Sequence, residues 1–549
     1  MNAHTGIALL SALLAVGCGS GAAGGTAGGA AHGADANSAP VKPAGEFDEF
    51  RVTLDAARSV RPVNRQILGN NVQWVDRGDD LLDATGAERS DLLQLAAALH
   101  PSVLRYPGGS QADTYHWRAG VGSLAARGEN EHFNARRLQP TIMGTQEFLE
   151  LCEATGATAL ISVNLASGTA EEAAAWVAFI NRTGVVSRRT GRRLPAVRYW
   201  ELGNEPYLKD ESQKALWLTP AEFGRRAEAF LGAMRAVDPG ILIGLPLTND
   251  RRNGFPATPY PGFTREVLAH VRAPIDYVSL HNAYLPYGME REHTHSELYW
   301  GAMAASRSVA ADFEDMRSLL RSVRPGPPWP FALTEYNALF TLGRGASDDL
   351  VASPVAALYI ADLLRVLAQM PDLTIANYWS LSGNWRFGAI RSDGTTRPSY
   401  EVLALYDELL HGGLLDMTVQ AERVDTPSVG GSAAVHGLPL VEALATRDGR
   451  MLRVLIIHKD DTRRGRGVLD LSDAAARGGA ITVLDWPDPW AVEPKPDSLV
   501  RERTPLAPGT HFTFDLPPHS LALATIELTE DRSAAAPRNG TARGNPEHP

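Results

Sequence analysis

Eight short apolar segments alternate with helix-like segments between residues 65 and 410, and no other feature constrains the fold as strongly. The intervening stretches, such as TQEFLELCEAT and AEEAAAWVAFIN, repeat Ala and Leu at the spacing of an α-helix. Eight strands alternating with helices predict an α/β fold of the (β/α)8 TIM-barrel type. The candidate strands are ILGNNVQW, SVLRYP, TALISVNL, VRYWELGN, ILIGLPL, DYVSLHNAY, FALTEYNA and IANYWSLS.

A second domain is indicated after residue 411, where the alternation stops. Segments such as RMLRVLIIHK, RGRGVLDLS, AITVLDW and HSLALATIEL are short, rich in β-branched residues and separated by Gly, Asp and Pro. This pattern is typical of an antiparallel β-sandwich, which we place at residues 411–530 after a barrel at 47–410. The strand FRVTLDA at the start of the barrel range could pair with either domain.

The N-terminal residues are predicted to be an export signal followed by a tether. Residues 1–18 hold a short apolar run that ends in AVGC, which resembles a bacterial lipobox with lipidation at Cys18. No Lys or Arg precedes the run, which is atypical. Residues 19–46 are rich in Gly and Ala and predict a flexible linker, and residues 531–549 predict a disordered tail. The expected location is the bacterial cell envelope as a lipoprotein, with secretion as the alternative.

Charge and cysteine content exclude several classes of function. The formal net charge of −11 comes from 63 acidic and 52 basic residues spread along the chain, so no basic surface for nucleic acid is expected. The chain has two cysteines, and with Cys18 lipidated, Cys152 has no disulfide partner. Cys152 lies on the apolar side of a predicted helix, where a small buried hydrophobic residue is expected. We find no phosphate-binding Gly-rich loop and predict no metal or other cofactor.

Two carboxylates are predicted to face each other at the mouth of the barrel. Active sites of such barrels form at the C-terminal ends of the strands. The fourth predicted strand ends at Asn204 and Glu205, and the seventh ends at Glu335. A facing pair of carboxyl groups is what cleavage of a glycosidic bond requires, so the sequence predicts an oligosaccharide or polysaccharide partner. The alternative is a pair of solvated strand-end carboxylates without catalytic role.

Further polar and aromatic residues are predicted to converge on the same end of the barrel. Sugars present hydroxyl edges and apolar faces, which suit amide, guanidinium and imidazole donors beside aromatic rings. Arg105 and Asn164 could equally be part of the barrel interior, and Glu201 is expected to form a buried ion pair with Arg105 or Arg198. The candidate substrate-binding residues are Arg105, Asn164, Asn204, His281, Tyr284, Trp117, Trp379 and Trp385.

Four motifs in this order resemble the clan A glycoside hydrolases, and most closely the α-L-arabinofuranosidases of glycoside hydrolase family 51. They are LRYPGGSQADTYHWRAGVG, LGNEP, VSLHNAY and LTEYNA. The resemblance implies that Glu205 is the acid/base, that Glu335 is the nucleophile and that Asn204 holds the sugar 2-hydroxyl. It further implies a retaining, exo-acting enzyme whose carboxyl groups lie about 5–5.5 Å apart, whereas about 8 Å would indicate inversion.

Two departures from that family leave the sugar open. Family members typically have Asp-Glu-Trp around the nucleophile, whereas this chain has Thr334-Glu335-Tyr336. Its WELGNEP is similar to families that act on xylosides or glucuronides. The alternatives are therefore a clan A hydrolase of a β-xyloside, β-glucuronide or β-glucoside, or a non-catalytic surface lipoprotein that binds glycans.

Overall fold

A computed structural model describes most of the two predicted domains. The predicted export signal with Cys18, the linker at 19–46 and the tail at 531–549 lie outside the described residues. No helix among the described residues is both long enough and apolar enough to cross a membrane. The described residues are 48–208, 211–249, 260–289, 293–341, 348–383, 385–492 and 494–529.

The first part of the chain folds into the predicted barrel after an initial strand, β1 (Asp48–Pro62). All eight predicted strands are present. The strands of this part are β2 (Gly69–Asn71), β3 (Val103–Tyr106), β4 (Glu129–His132), β5 (Arg137–Pro140), β6 (Thr158–Val163), β7 (Tyr199–Leu202), β8 (Leu242–Pro246), β9 (Tyr277–Leu280), β10 (Ala283–Met289), β11 (Phe331–Thr341) and β12 (Leu373–Tyr378).

A closed parallel ring is formed by β2, β3, β6, β7, β8, β9, β11 and β12. The ring closes because β12 pairs with β2 and β9 pairs with β11. Strand β10 adds to β11 beyond the end of β9, and β4 and β5 form a separate hairpin after β3. One interior layer consists of Val103, Leu160, Tyr277, Ala332 and Ile375, so the barrel has a packed core.

A helix follows each barrel strand, and polar residues define where several of these helices begin. The Thr219 hydroxyl accepts from the Glu222 backbone N–H at the start of the helix at Pro220, and the Glu222 carboxylate accepts from the Thr219 backbone N–H. Thr294 and Glu297 form the same capping box. The longer helices are α1 (Ser90–Ala98), α2 (Thr145–Thr155), α3 (Ala170–Val177), α4 (Pro220–Val237), α5 (Phe263–His270), α6 (His295–Val323), α7 (Pro354–Ala368) and α8 (Pro398–Leu409).

The second part of the chain is a β domain that continues directly from α8. It contains a two-stranded ribbon, β14 with β15, and a sheet of nine strands. Its strands are β13 (Gly413–Gln420), β14 (Arg423–Thr426), β15 (Val435–Pro439), β16 (Val441–Asp448), β17 (Met451–His458), β18 (Gly465–Leu471), β19 (Ala476–Asp485), β20 (Val500–Leu506), β21 (His511–Leu516) and β22 (Ser520–Leu528).

The nine-stranded sheet includes β1, which therefore belongs to the sandwich and not to the barrel. Its order is β20-β19-β22-β17-β16-β13-β1-β18-β21, and each pairing is antiparallel except β1 with β18. That parallel pair departs from the predicted all-antiparallel pattern, and it arises because β1 enters from the far N-terminal side. Phe50, Val52 and Leu54 of β1 pack in the same apolar cluster as residues of β17 and β22. The sheet thus encloses its own core.

The two domains share a continuous apolar core. Leu455 and Ile457 of β17 and Leu521 of β22 belong to the cluster that contains the barrel helices. Cys152 is buried on α2, and burial raises the pKa of its thiol, so it is the small buried hydrophobic residue that was predicted.

Candidate active site

Strand β7 ends at Leu202, and the backbone then enters a tight turn in the left-handed region that contains Glu205. Gly203 has φ of +76° and Glu205 has φ of +41°, both in the left-handed region. Glycine adopts this conformation without cost, but a glutamate is strained there, and such strain is concentrated at functional sites. Asp113 accepts a hydrogen bond from the Asn204 backbone N–H over 3.4 Å and so helps to hold the turn. The turn points the Glu205 side chain out of the strand.

Arg105 is the centre of the site and is fully buried. Its Nε donates to Glu201 over 2.6 Å, one terminal nitrogen donates to Glu335 over 2.8 Å, and the other donates to Asn204 over 2.9 Å. Burial acts against its charge, but Glu201 and Glu335 raise the pKa of Arg105 above its ordinary value. Arg105 lies inside β3, so it is both interior structure and part of the site.

Glu201 forms the buried ion pair that the sequence predicted, and its partner is Arg105. Both side chains are inaccessible to solvent. Burial opposes ionisation, but Arg105 holds the pKa of Glu201 below its ordinary value. The carboxylate is therefore charged, and its position deep in β7 keeps it away from the mouth.

Glu335 is a buried carboxylate that accepts hydrogen bonds on both oxygens. Arg105 donates to Oε1, and the Tyr284 hydroxyl donates to Oε2 over 2.8 Å. Burial raises the pKa of Glu335, while His281, Arg105 and the Tyr284 hydroxyl favour its charged form. Strand β11 does not end at Glu335 as predicted, because β10 pairs with β11 beyond that residue.

His281 lies between the two predicted catalytic carboxylates. Its Nδ1 is 3.1 Å from Oε1 of Glu205 and 3.8 Å from Oε1 of Glu335. An oxygen of Glu205 and an oxygen of Glu335 lie within 4.8 Å of each other. This short separation fits the spacing of a retaining pair and is far below the separation of about 8 Å that would indicate inversion.

The same three groups are also the place where a metal ion would find ligand atoms. Among the described residues, Glu205, His281 and Glu335 place three such atoms within 4.8 Å of one another. A dication here would face the Arg105 guanidinium, which already donates to the same Glu335 oxygen that points at His281. The positive charge of Arg105 disfavours a second cation at this point, so the arrangement suits acid and nucleophile chemistry better.

An aromatic cluster borders Glu335 on the side of Tyr284. Tyr284 packs with Trp379 and Phe387, and Trp385 packs against them. The rings of Trp379 and Trp385 lie 5.4 Å apart in an edge-to-face arrangement. Trp379 is almost fully buried, whereas Trp385 is half-buried and keeps an accessible surface. Of the two, Trp385 is therefore the one that can stack on a sugar.

Two predicted binding residues do not join the cluster around Arg105. Trp117 is buried and stacks on Trp176 of α3 with ring centres 6.1 Å apart. The Asn164 side chain is occupied by its own loop: its amide donates to Ser167 Oγ, and its oxygen accepts from the Ser167 backbone N–H. Trp117 therefore packs in the core against α3, and Asn164 braces the turn that follows β6.

Three residues of the site were missed from the sequence. Asn71 accepts from Arg105 over 3.0 Å, and Thr334 contacts both His281 and Glu201. Asp113 is half-buried beside the Glu205 turn, and burial raises its pKa to about 8. Thr334 adjoins the nucleophile motif and Asn71 ends the first barrel strand, so position alone could have indicated both. Asp113 lies in the short 3-10 helix Gly109–Thr114 and within the first of the four motifs, so the motif could have indicated it, although no strand end does.

Comparison with known proteins gives one matching family model and a set of partial relatives. Residues 95–271 match the α-L-arabinofuranosidase 1 domain, a range that contains Arg105 and Glu205 but not Glu335. A probable α-L-arabinofuranosidase C of Aspergillus niger is 31% identical over 215 residues, which is 38% of this chain and 41% of that protein. An intracellular exo-α-(1→5)-L-arabinofuranosidase of Acetivibrio thermocellus is 27% identical over 250 residues, 43% of this chain and 48% of that protein. The chain thus spans less than half the length of these relatives.

Solved structures extend the similarity to both domains. The α-L-arabinofuranosidase of Thermotoga maritima, solved with arabinose, superposes with a TM-score of 0.71 over 87% of this chain and 100% of that chain, at 22% identity. At this identity the likeness establishes the fold, which is the predicted barrel with a β-sandwich. A family 51 α-L-arabinofuranosidase of Thermotoga petrophila superposes with the same TM-score of 0.71 over 87% of this chain and 100% of that chain, at 22% identity. Together with the family model, these structures confirm the predicted resemblance to clan A glycoside hydrolases and to family 51.

Proposed function

We propose that this chain is a retaining, exo-acting α-L-arabinofuranosidase that cleaves arabinose from a glycan by double displacement. The observation that carries the proposal is the carboxylate pair, Glu205 and Glu335, with oxygens within 4.8 Å of each other and His281 between them. A pair this close leaves no room for a water molecule between the sugar and the second carboxylate, which is the geometry of covalent catalysis.

In the first step Glu335 attacks the anomeric carbon of the sugar. The bond to the leaving oxygen breaks as Glu205 delivers its proton to that oxygen, which leaves as a neutral hydroxyl. Arg105 and Tyr284 fix both oxygens of Glu335, so the nucleophile is oriented before substrate binds. Arg105 fixes the Asn204 side chain, to which the family resemblance assigns the sugar 2-hydroxyl.

In the second step Glu205, now a carboxylate, removes a proton from water. The resulting oxygen attacks the anomeric carbon, the bond to Glu335 breaks, and free arabinose leaves with Glu335 restored as a carboxylate. Glu205 is more accessible than Glu335, with 12% of its side chain exposed against 6%, which suits a group that must meet both leaving group and water.

The choice of arabinofuranose is supported by the names of the matched family model and relatives and by the sequence motifs. The Thr334-Glu335-Tyr336 departure keeps a β-xyloside, β-glucuronide or β-glucoside as alternatives, because residues beside the nucleophile shape the sugar site. A glycan-binding protein without activity is the second candidate class. The intact hydrogen-bonded carboxylate pair argues for the enzyme.

Export to the cell envelope with a lipid on Cys18 remains part of the proposal. It is supported by the apolar run and the AVGC tetrapeptide at residues 15–18. Expression of the chain and of Cys18→Ala in a bacterial host, followed by membrane fractionation and labelling with a fatty acid, tests it. We expect fatty-acid label only in the wild-type chain. Equal labelling and equal membrane fractions for both chains would contradict a lipid anchor on Cys18.

The activity is tested by release of nitrophenol from a panel of nitrophenyl glycosides, led by the α-L-arabinofuranoside. Wild-type protein is compared with Glu205→Gln and Glu335→Gln. Turnover of the arabinofuranoside that is lost in Glu335→Gln supports the assignment, and proton NMR of the first-formed sugar should show retained configuration. Turnover of a xyloside or glucuronide instead would change the sugar but keep the mechanism. A folded protein that binds oligosaccharide but is inactive on the whole panel would favour the glycan-binding class.

A further inference from the structure

A chain of hydrogen bonds behind the site connects Glu201 to Glu205, and the reaction steps above make no use of it. Thr334 Oγ1 donates to Oε1 of Glu201 over 2.8 Å. The same Thr334 oxygen lies 2.9 Å from Nε2 of His281. The other ring nitrogen of His281 lies 3.1 Å from Oε1 of Glu205. Glu201, Thr334 and His281 are all buried.

The direction of these hydrogen bonds is fixed by counting protons. A threonine hydroxyl has one hydrogen to donate, whereas an ionised carboxylate can only accept. Glu201 is ionised because Arg105 donates to it over 2.6 Å in the buried interior. The Thr334 hydrogen therefore points to Glu201, and the Thr334 oxygen must accept from His281. Nε2 of His281 consequently carries a hydrogen.

This leaves Nδ1 of His281 to face Glu205. Among the described residues Nδ1 has no well-aligned hydrogen-bond partner, although it is buried and points between the two carboxylates. Either a neutral imidazole accepts the acid proton of Glu205, or an imidazolium donates to the Glu205 carboxylate. Both states contain one proton between these two atoms.

We propose that Glu201 and Thr334 are positioning residues that hold His281 with Nε2 protonated, so that Nδ1 shares the catalytic acid proton with Glu205. This inference rests on the proposed function, in which Glu205 is the acid. Thr334 and Glu201 touch no reacting atom: Thr334 acts through His281, and Glu201 acts through Thr334 in addition to its ion pair with Arg105. The arrangement gives a physical role to the threonine that stands where family 51 members typically have aspartate.

The charged and titratable groups around His281 come from four parts of the barrel. Glu205 and Glu201 belong to the β7 region, Glu335 to β11, Arg105 to β3, and Tyr284 to β10 beyond His281. Burial disfavours an imidazolium, but Glu335 and Glu205 raise the pKa of His281 above its ordinary value, against Arg105. The surroundings therefore favour retention of a proton at the His281–Glu205 pair.

The test compares Thr334→Val, which has nearly the same shape but no hydroxyl, with Thr334→Ser, which keeps the hydroxyl. The substrates are an arabino-oligosaccharide, whose leaving group needs protonation, and the 2,4-dinitrophenyl α-L-arabinofuranoside, whose leaving group does not. Because general acid catalysis is worth about 100-fold or more, we expect Thr334→Val to lose at least about 10-fold in kcat/KM on the oligosaccharide. On the dinitrophenyl substrate we expect a much smaller loss, and near wild-type values for Thr334→Ser on both.

The pH profile supplies a readout that a merely structural role would not move. We expect the alkaline limb of kcat/KM on the oligosaccharide to move to lower pH in Thr334→Val, because the pair loses its proton more easily, and to stay in place in Thr334→Ser. Equal losses on both substrates with an unchanged profile, or a Thr334→Ser enzyme as impaired as Thr334→Val, would overturn the proposal.

If Thr334→Val does not fold, nitrogen-15 spectra of histidine-labelled wild-type enzyme decide the question, with His281→Gln identifying the signal. We expect Nε2 of His281 to be protonated throughout the active pH range, and an unprotonated Nε2 would overturn the proposal. If the wild-type protein were inactive on every arabinofuranoside, the proposed function would be wrong. The NMR measurement of His281 does not depend on that activity.

Discussion

The guanidinium of Arg105 donates to Oε1 of Glu335 over 2.8 Å, and neither group is more than slightly exposed. One arginine is thus the charged partner of both Glu335 and Glu201 in the barrel interior. Its removal would leave two buried carboxylates without their counter-charge, which is far more costly than loss of a surface pair.

For Arg105→Gln we therefore expect a loss of about 3–5 kcal/mol in the free energy of unfolding, measured by urea denaturation. The pKa of Glu335 should rise further, so the acidic limb of kcat/KM should move to higher pH. Arg198→Gln is the control, because Arg198 is exposed at the start of the same strand region that carries Glu201. If Arg105→Gln were as stable as Arg198→Gln, Arg105 would not be needed to compensate the buried carboxylates of Glu201 and Glu335.

Tyr284→Phe is expected to act on the nucleophile alone. The Tyr284 hydroxyl donates to Oε2 of Glu335 over 2.8 Å and favours its charged form, so its loss should raise the pKa of Glu335. The nucleophile must be charged, and the acidic limb of kcat/KM should therefore move to higher pH, with lower activity below the optimum.

The matched control for Tyr284→Phe is Tyr336→Phe. Tyr336 follows Glu335 in the chain and is buried, but its hydroxyl has no hydrogen-bond partner among the described residues. Removal of that hydroxyl should leave the pH profile unchanged and be neutral or slightly stabilising. A shifted profile in Tyr336→Phe, or none in Tyr284→Phe, would contradict this account of Glu335.

The two tryptophans predicted to bind substrate should respond differently to truncation. Trp385 is half-buried at the edge of the aromatic cluster beside Tyr284, so Trp385→Ala should raise KM for oligosaccharides with a small effect on thermal stability. Trp117 is buried against Trp176, so Trp117→Ala should cost about 3–5 kcal/mol of stability. Steady-state kinetics and thermal melts of both variants check this. A stable Trp117→Ala enzyme with a raised KM would place Trp117 in the substrate site.

The sequence predicted the barrel, and it singled out Glu205 and Glu335 as the candidate catalytic pair, because both predictions depend on local pattern. Strand and helix periodicity located the eight barrel strands, and predicted strand ends singled out Glu205 and Glu335, although β11 continues past Glu335 to Thr341. The sequence does not show where a side chain at a strand end points. Asn164 also follows a strand, yet its side chain makes hydrogen bonds to Ser167 within its own loop. The sequence predicted an ion pair between Glu201 and either Arg105 or Arg198. In the structure the partner is Arg105.

Contacts between side chains on different strands of the barrel could not be predicted from the sequence. Thr334 matters because β7, β9 and β11 bring Glu201 and His281 to the same hydroxyl, and no periodicity encodes that meeting. The pairing of β1 in the sandwich could not be predicted either, because its partner β18 lies more than 400 residues later in the chain. Strand β20 was missed because it is almost wholly exposed and has no apolar alternation, whereas β21 alternates Phe512, Phe514 and Leu516 with polar residues and could have been predicted.

A buried charge network joins the two domains and should make stability depend on pH. Asp362 of α7 accepts from Arg365 over 2.7 Å and from Lys459 of the sandwich domain over 2.8 Å. Burial opposes its ionisation, but Arg365 and Lys459 hold the pKa of Asp362 well below its ordinary value. A carboxyl with a lowered pKa in the folded state contributes stability above its unfolded pKa, about 3.9, and this contribution is lost as the pH falls below that value.

Asp362→Asn should therefore be less stable than the wild type by about 3–5 kcal/mol at neutral pH, because Lys459 and Arg365 remain buried without their counter-charge. The difference should be constant above about pH 5 and should narrow as the pH falls below about 4, because Asp362 of the wild type then takes up a proton in the unfolded state while it stays ionised in the folded state. Thermal melts of both proteins across pH measure it, with Asp91→Asn at an exposed pair on α1 as the control. A difference that stays constant down to acidic pH would mean that Asp362 stabilises the domain contact by shape and hydrogen bonds and not by its charge.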